Sequence, residues 1–363
     1  MTNIICFDLE GPLSPQDNAY EVMGLVKDGH RIFEVISRYD DILTLEGREG
    51  YEPGDTLSLI APFLIHHKIK EEDIKRVSDS AKIVDGVKYT IERLRKLRWD
   101  YYIISTSYQQ HAHNIAAKIG VSRDRIYCTK LPLDRYLATV KDADSSLIEE
   151  VEKDILESLY PALDDEKKIK DRLDRFFWSD LPKTELGRVI GEIKVVGGQR
   201  KVDAVYDIAK KKDRSLDEIV VVGDSITDYK MLREVRDKGG VAVVFNGNEY
   251  CIPYANVGLA STDMRMILVV VDAYDCGQKK GVMQAVHSWE ESHDDYMNNP
   301  KAIPVDVIPE DVRDLLEEKK KDANFTRPRF HVLENADKNK QEEVLKIHKK
   351  ARSLVRGEAA KLG

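Results

Sequence analysis

Two apolar runs in this chain each end in a pair of carboxylates. The first is Ile4-Ile5-Cys6-Phe7-Asp8-Leu9-Glu10-Gly11 and the second is Val220-Val221-Val222-Gly223-Asp224-Ser225-Ile226-Thr227-Asp228. Functional groups in an open α/β sheet collect beyond the carboxyl ends of the strands. If these two ends are neighbours, they concentrate negative charge in one crevice, and a divalent cation, Mg²⁺, is the simplest way to offset it. The chemistry that suits such a crevice is phosphoryl transfer, in which positioning and electrostatics do most of the work. Asp8 can attack phosphorus as a carboxylate nucleophile. Glu10, two residues on, can protonate the leaving oxygen and then activate water. Ser105, after the apolar run Tyr101-Tyr102-Ile103-Ile104, can donate a hydroxyl hydrogen bond to a phosphate oxygen. Lys201, just ahead of a helical stretch, can set a positive charge between Asp8 and the phosphate. Asp224 offers a hard oxygen to Mg²⁺, and Asp228 can either orient a metal-bound water or brace the loop.

Positioning these residues requires strands that alternate with helices. Tyr101–Ile104 reads as a strand, followed by a helix with Ala112, Ile115, Ala116 and Ile119 on one face and a stop at Gly120. Val87, Ile91 and Leu94 mark another helix. Val202, Val205, Ile208 and Ala209 mark a third, which leads into a strand at 219–222. Further strands are expected at 126–128, 241–245 and 266–271. The alternation implies a Rossmann-like parallel sheet covered on both faces.

Two stretches are too long to be loops. Residues 15–80 carry apolar helical material such as Leu57 to Ala61, and residues 133–197 carry a helix with Ile148, Val151, Ile155 and Leu159 on one face. The expected organisation is core at 1–14, a helical cap at 15–80, core at 81–132, a second and mostly helical insert at 133–197, core at 198–271 and a C-terminal extension at 272–363. The last helix shows a narrow apolar seam of Val344, Ile347, Ala351 and Leu354, able to pack on the core or on another subunit.

Bulk properties limit the partners. The chain has 363 residues, 42% of them hydrophobic, and its 57 basic and 65 acidic residues give a net charge of −8. This balance speaks against nucleic acid as the main partner. The four cysteines show no zinc spacing, which suits free thiols in a reducing compartment. No run reaches the roughly 18 apolar residues of a membrane span, and the first strand leaves no room ahead of it for a signal peptide. The expectation is a cytoplasmic protein that does not engage a membrane.

Strand-Asp8-Leu9-Glu10-Gly11, strand-Ser105, Lys201 and strand-Gly223-Asp224-Ser225-x-x-Asp228 resemble the four ordered motifs of the haloacid dehalogenase-like hydrolases. Within that superfamily, the run Gly223 to Leu232 followed by Gly240 to Asn246 is similar to the phosphoserine phosphatase-like group. The resemblance covers roughly 1–14, 81–132 and 198–262. It implies Asp8 as nucleophile, the backbone carbonyl of Glu10 as a further Mg²⁺ ligand, and a helical cap inserted after the first motif. Where the family usually has a second aspartate this chain has Glu10, one methylene longer.

Singly, each motif has a plain alternative: Asp8 and Asp224 could cap turns, and Ser105 and Lys201 could be surface groups. Their order along the chain favours the phosphate site. His66-His67 and His111-x-His113 lack convergent ligands and read as structural. The expected function is a Mg²⁺-dependent phosphatase acting on a small phosphorylated metabolite through an aspartyl-phosphate intermediate. Transfer to an alcohol acceptor, or a non-catalytic regulatory subunit of a larger complex, are the alternatives. A homodimer or complex built through the inserts or the last helix stays open, and Asp17, Glu21, Arg31 and Arg38 are polar candidates for specificity.

Overall fold

Runs of Ile, Val and aromatic residues bounded by turns build the sheet, because β-branched side chains fit a pleated surface buried on both faces. The computed structural model describes residues 2–139, 145–320 and 325–361. Its strands are β1 (Ile4–Phe7), β2 (Asp100–Tyr108), β3 (Ile126–Thr129), β4 (Ile219–Gly223), β5 (Val241–Phe245), β6 (Val257–Ala260) and β7 (Arg329–Val332). They form one sheet in the order β3-β2-β1-β4-β5-β6-β7, parallel throughout except for the antiparallel pairing of β6 with β7. In register, Phe7 faces Ile103 of β2 on one side and Val222 of β4 on the other. The chain therefore reverses direction across the sheet at β1, and that switch point is where a crevice opens.

Alternation along the strands divides the core. Ile5, Phe7, Ile103, Val220, Val222 and Phe245 point to one side, and Ile4, Cys6, Ile104, Val221 and Val244 to the other. Each buried aliphatic side chain contributes about 1.5–3 kcal/mol, which makes this sheet a rigid mount for the loops at its carboxyl edge.

The two helical inserts have a common core. Ile36, Tyr39, Phe63 and Leu64 of the first pack with Ile148, Ile155, Leu173 and Phe176 of the second in one apolar cluster. They make a single helical body over the carboxyl edge, where the sequence suggested two modules.

Three local expectations need correction. Residues 266–271, expected as a strand, form a short 3₁₀ turn (Met264–Ile267) that runs into helix Leu268–Glu291. Leu268 to Val271 are buried throughout, and a short apolar run of that kind does not distinguish a strand from a buried helix. The boundary expected at 271 thus falls inside a helix. Beyond it, β7 joins the sheet, so the extension is part of the core. On the last helix, Lys338–Arg356, the buried residues are Val344, His348, Ala351, Arg352 and Arg356, whereas Leu354 is 57% exposed. That face packs on the chain's own body, and its stripe is more polar than the expected seam.

Candidate active site

Asp8 directly follows β1, and its backbone N–H donates to the Val222 carbonyl at 2.8 Å. This carries the parallel ladder one residue past the strand and fixes the side chain at the crevice. Asp224 holds the matching place after β4. Gly11, at φ +99°, lies in the turn that follows Asp8, and a Cβ there would sit 2.2 Å from Asp224 Oδ2. Only glycine permits that approach.

Lys201 lies in the first turn of helix Gln199–Lys212, not ahead of it. Its side chain is 0% exposed, and Nζ donates to Asp8 Oδ1 and Asp228 Oδ1, each at 2.7 Å. Asp228 Oδ2 accepts from the backbone N–H groups of Asp224 at 2.9 Å and Ser225 at 3.2 Å. Both Asp228 oxygens therefore accept hydrogen bonds, and those from its own loop brace it. Burial and the nearby Asp228 charge push the Asp8 carboxyl up, and Lys201 opposes them. Burial and the charges of its two carboxylate partners pull Lys201 in opposite directions; the partners prevail and keep it charged.

Glu10 turns its side chain toward the start of helix Asn18–Met23, where Oε1 accepts from Asn18 N at 2.9 Å. Burial and the neighbouring Asp17 charge raise its pKa to about 7, the range that suits a group which must both give and take a proton. Asp17 caps the same helix by accepting from Tyr20 N at 2.9 Å.

Asp8, Glu10, Asp17, Thr106, Thr227 and Arg356 are among the residues lining an inner cavity of about 70 Å³. Ser105 is fully buried inside β2, and its Oγ accepts from Ser107 N at 3.1 Å. An irregularity in register between Ser105 and Tyr108 accompanies the turn of Thr106 into the cavity wall. An outer chamber of about 490 Å³, lined by Tyr20, Arg38, Tyr160 and Lys361 among others, shares Ser37 and Asp41 with the inner one. Of the polar candidates in the first insert, Asp17 and Arg38 line these spaces, whereas Glu21 and Arg31 are exposed.

The sequence reading missed two cations. Arg352 donates through Nη1 to the carbonyl and to Oδ2 of Asp224, and Arg356 Nη1 reaches the same Oδ2 at 3.0 Å. The signal was present as a four-residue spacing: Val344, His348, Arg352 and Arg356 lie one helical turn apart on the same face. Arginine on an amphipathic helix normally means a solvated face, so composition alone did not reveal it.

The donor set fits a divalent cation. Asp8, Asp224 and Asp228 each bring a carboxylate oxygen within 4.8 Å of the others. Asp224 Oδ1 is buried with no hydrogen-bond partner among the described residues. When ionised, the five carboxylates Asp8, Glu10, Asp17, Asp224 and Asp228 exceed the three cations Lys201, Arg352 and Arg356 by two charges. A second group, His66, His67 and Glu152, lies in the helical body, where His67 Nε2 meets Glu152 Oε1 at 2.7 Å. His111 is buried against Ser78 Oγ.

A family model for haloacid dehalogenase-like hydrolases matches residues 63–265. Among solved structures, a gene product of Archaeoglobus fulgidus is similar over the whole length, with 29% identity and a TM-score of 0.77, covering 100% of this chain and 99% of that one. An apo phosphoserine phosphatase is similar at 15% identity and a TM-score of 0.47, covering 74% of this chain and 98% of its own. A hydrolase of the same family from Salmonella enterica serovar Typhi shows 12% identity and a TM-score of 0.42, covering 68% and 64%. No curated protein matches.

Proposed function

Because the chain belongs to the haloacid dehalogenase-like hydrolases, we propose that it is a Mg²⁺-dependent phosphatase of a small phosphomonoester, working through an aspartyl phosphate on Asp8. The observation that carries this reading is the buried bridge from Lys201 to both Asp8 and Asp228. It occupies Asp8 Oδ1 and leaves Oδ2 for phosphorus. A surface lysine or a capping aspartate would need no such arrangement.

In the first half-reaction Asp8 Oδ2 forms a bond to phosphorus as the ester oxygen leaves, and Glu10 gives that oxygen its proton. In the second, Glu10 as carboxylate takes a proton from water, the water oxygen bonds to phosphorus, and Asp8 is released with inorganic phosphate. A pKa of about 7 lets Glu10 serve both halves near neutrality. Asp8, Asp224 Oδ1 and the Glu10 carbonyl would hold Mg²⁺, which supplies charge neutralisation for the phosphoryl oxygens. The inner cavity has room for a phosphoryl group, and the outer chamber for a leaving group of metabolite size. The four cysteines are unpaired, which suits a reducing compartment such as the cytoplasm. No helix among the described residues is long and apolar enough to cross a membrane.

The test is phosphate release from p-nitrophenyl phosphate with Mg²⁺ and with EDTA, in wild type and Asp8→Asn. Release that needs Mg²⁺ and Asp8 supports the reading. Release unaffected by Asp8→Asn removes Asp8 as the nucleophile. Adding an alcohol and measuring its phosphorylation separates hydrolysis from transfer.

A further inference from the structure

The active site is completed by the far end of the chain. His348 Nδ1 accepts from Gly247 N at 3.0 Å, which pins the last helix to the loop after β5. One turn on, Arg352 is bound to Asp224 and, through Nε, to the Ala360 carbonyl at 3.2 Å. One turn further, Arg356 Nε donates to the Pro15 carbonyl at 3.2 Å and Nη1 to Asp224 Oδ2. Its Nη2 makes no hydrogen bond among the described residues, and the residue lines the inner cavity beside Asp8.

Two features argue that this is more than an ion pair. Arg352 already meets Asp224 Oδ2, so a second guanidinium on that oxygen exceeds what one carboxylate needs, and burying it is costly. The inner cavity also has five carboxylates on its wall, Asp8, Glu10, Asp17, Asp40 and Asp41, against one basic residue, Arg356. Lys201 is sealed beneath them between two partners. Among the described residues, Arg356 is the one protein cation on this wall that a phosphate dianion would meet, and a guanidinium fork matches phosphate oxygens.

We propose that Arg356 is a substrate-binding residue that holds a phosphoryl oxygen through its free Nη2, which makes the C-terminal helix a wall of the active site. The assignment rests on the phosphatase reading, and the experiment separates the two. Full-length wild type, Arg356→Lys and Arg356→Met are compared with Mg²⁺ present for KM and kcat on p-nitrophenyl phosphate and for inhibition by inorganic phosphate. Stabilisation against heat by inorganic phosphate alone is measured in parallel. Arg356→Met should weaken phosphate inhibition about tenfold or more and abolish the phosphate-induced rise in midpoint, with KM rising more than kcat falls. Arg356→Lys, which keeps the charge, should recover part of each and shows that the fold survives.

Wild-type phosphate affinity in a folded Arg356→Met protein would overturn the assignment. Higher turnover in that variant would also overturn it and mark the helix as a plug. If wild type releases no phosphate yet phosphate stabilises it through Arg356, the residue assignment stands and the catalytic reading falls.

Discussion

The carboxyl edge of the sheet and the face of the last helix both bring buried charge to one crevice, by different means. At the sheet edge, Asp8, Asp224 and Asp228 are fixed by the backbone: one extends the parallel ladder, and another accepts two N–H groups of its own loop. On the helix, Arg352 and Arg356 are long side chains placed by helical spacing and held by the one carboxylate both meet, Asp224. Acids arranged by turns are rigid before any ligand arrives, whereas bases arranged by a helix face depend on where the helix docks.

The largest effect should come from the acid side. Asp8→Asn should lower kcat for phosphate release by at least about 10³-fold with little change in thermal midpoint, measured by steady-state assay and by heat unfolding. Next, Lys201→Met leaves Asp8 and Asp228 buried without a counter-charge. It should cost about 3–5 kcal/mol of stability by denaturant titration, and a smaller loss would mean that the bridge does not tie the two acids together.

Metal and pH sharpen the contrast further. Burial raises the pKa of Asp8, Glu10 and Asp17, and that of Asp40 to about 7. The folded protein thus holds these protons more tightly than the unfolded chain, whose carboxylates titrate near pH 4. Without metal, stability should be greatest below about pH 4 as far as these groups are concerned, and should fall as pH rises toward 7. Mg²⁺, which binds the ionised form, should then raise the unfolding midpoint more at pH 8 than at pH 5. An equal rise at both would separate the cation from these carboxylates.

Gly11→Ala places a Cβ against Asp224 at a positive φ and should cost more than about 1 kcal/mol. The smallest effect belongs to the helix: Leu354→Ser should change stability by less than about 0.5 kcal/mol, because the residue faces water. A larger loss would restore the apolar seam that the sequence suggested.

The acid side was readable because strand ends carry their function in the next few residues. Asp8, Asp224 and the helix that presents Lys201 all follow from local pattern and order. The rest depended on contacts between distant segments. Leu268 to Val271 is as apolar as a strand, and its helical state is decided by what surrounds it. β7 has four residues and no neighbour in sequence to announce its pairing with β6. Arg352 and Arg356 look like any solvated face until Asp224 stands opposite. The union of the two inserts was hidden for the same reason, since each shows its own apolar stripe and nothing in either says that they share it.

That union also bears on how a molecule enters and leaves. The chain passes between the sheet and the helical body four times: after β1, before β2, after β3 and before β4. A lid hung from one pair of linkers can swing on a hinge over microseconds to milliseconds. One suspended from two pairs and fused by a shared core would have to bend all four together. Traffic is then expected through the mouth beside Tyr20, Arg38, Tyr160 and Lys361, where rotation of single side chains on the nanosecond scale sets the passage.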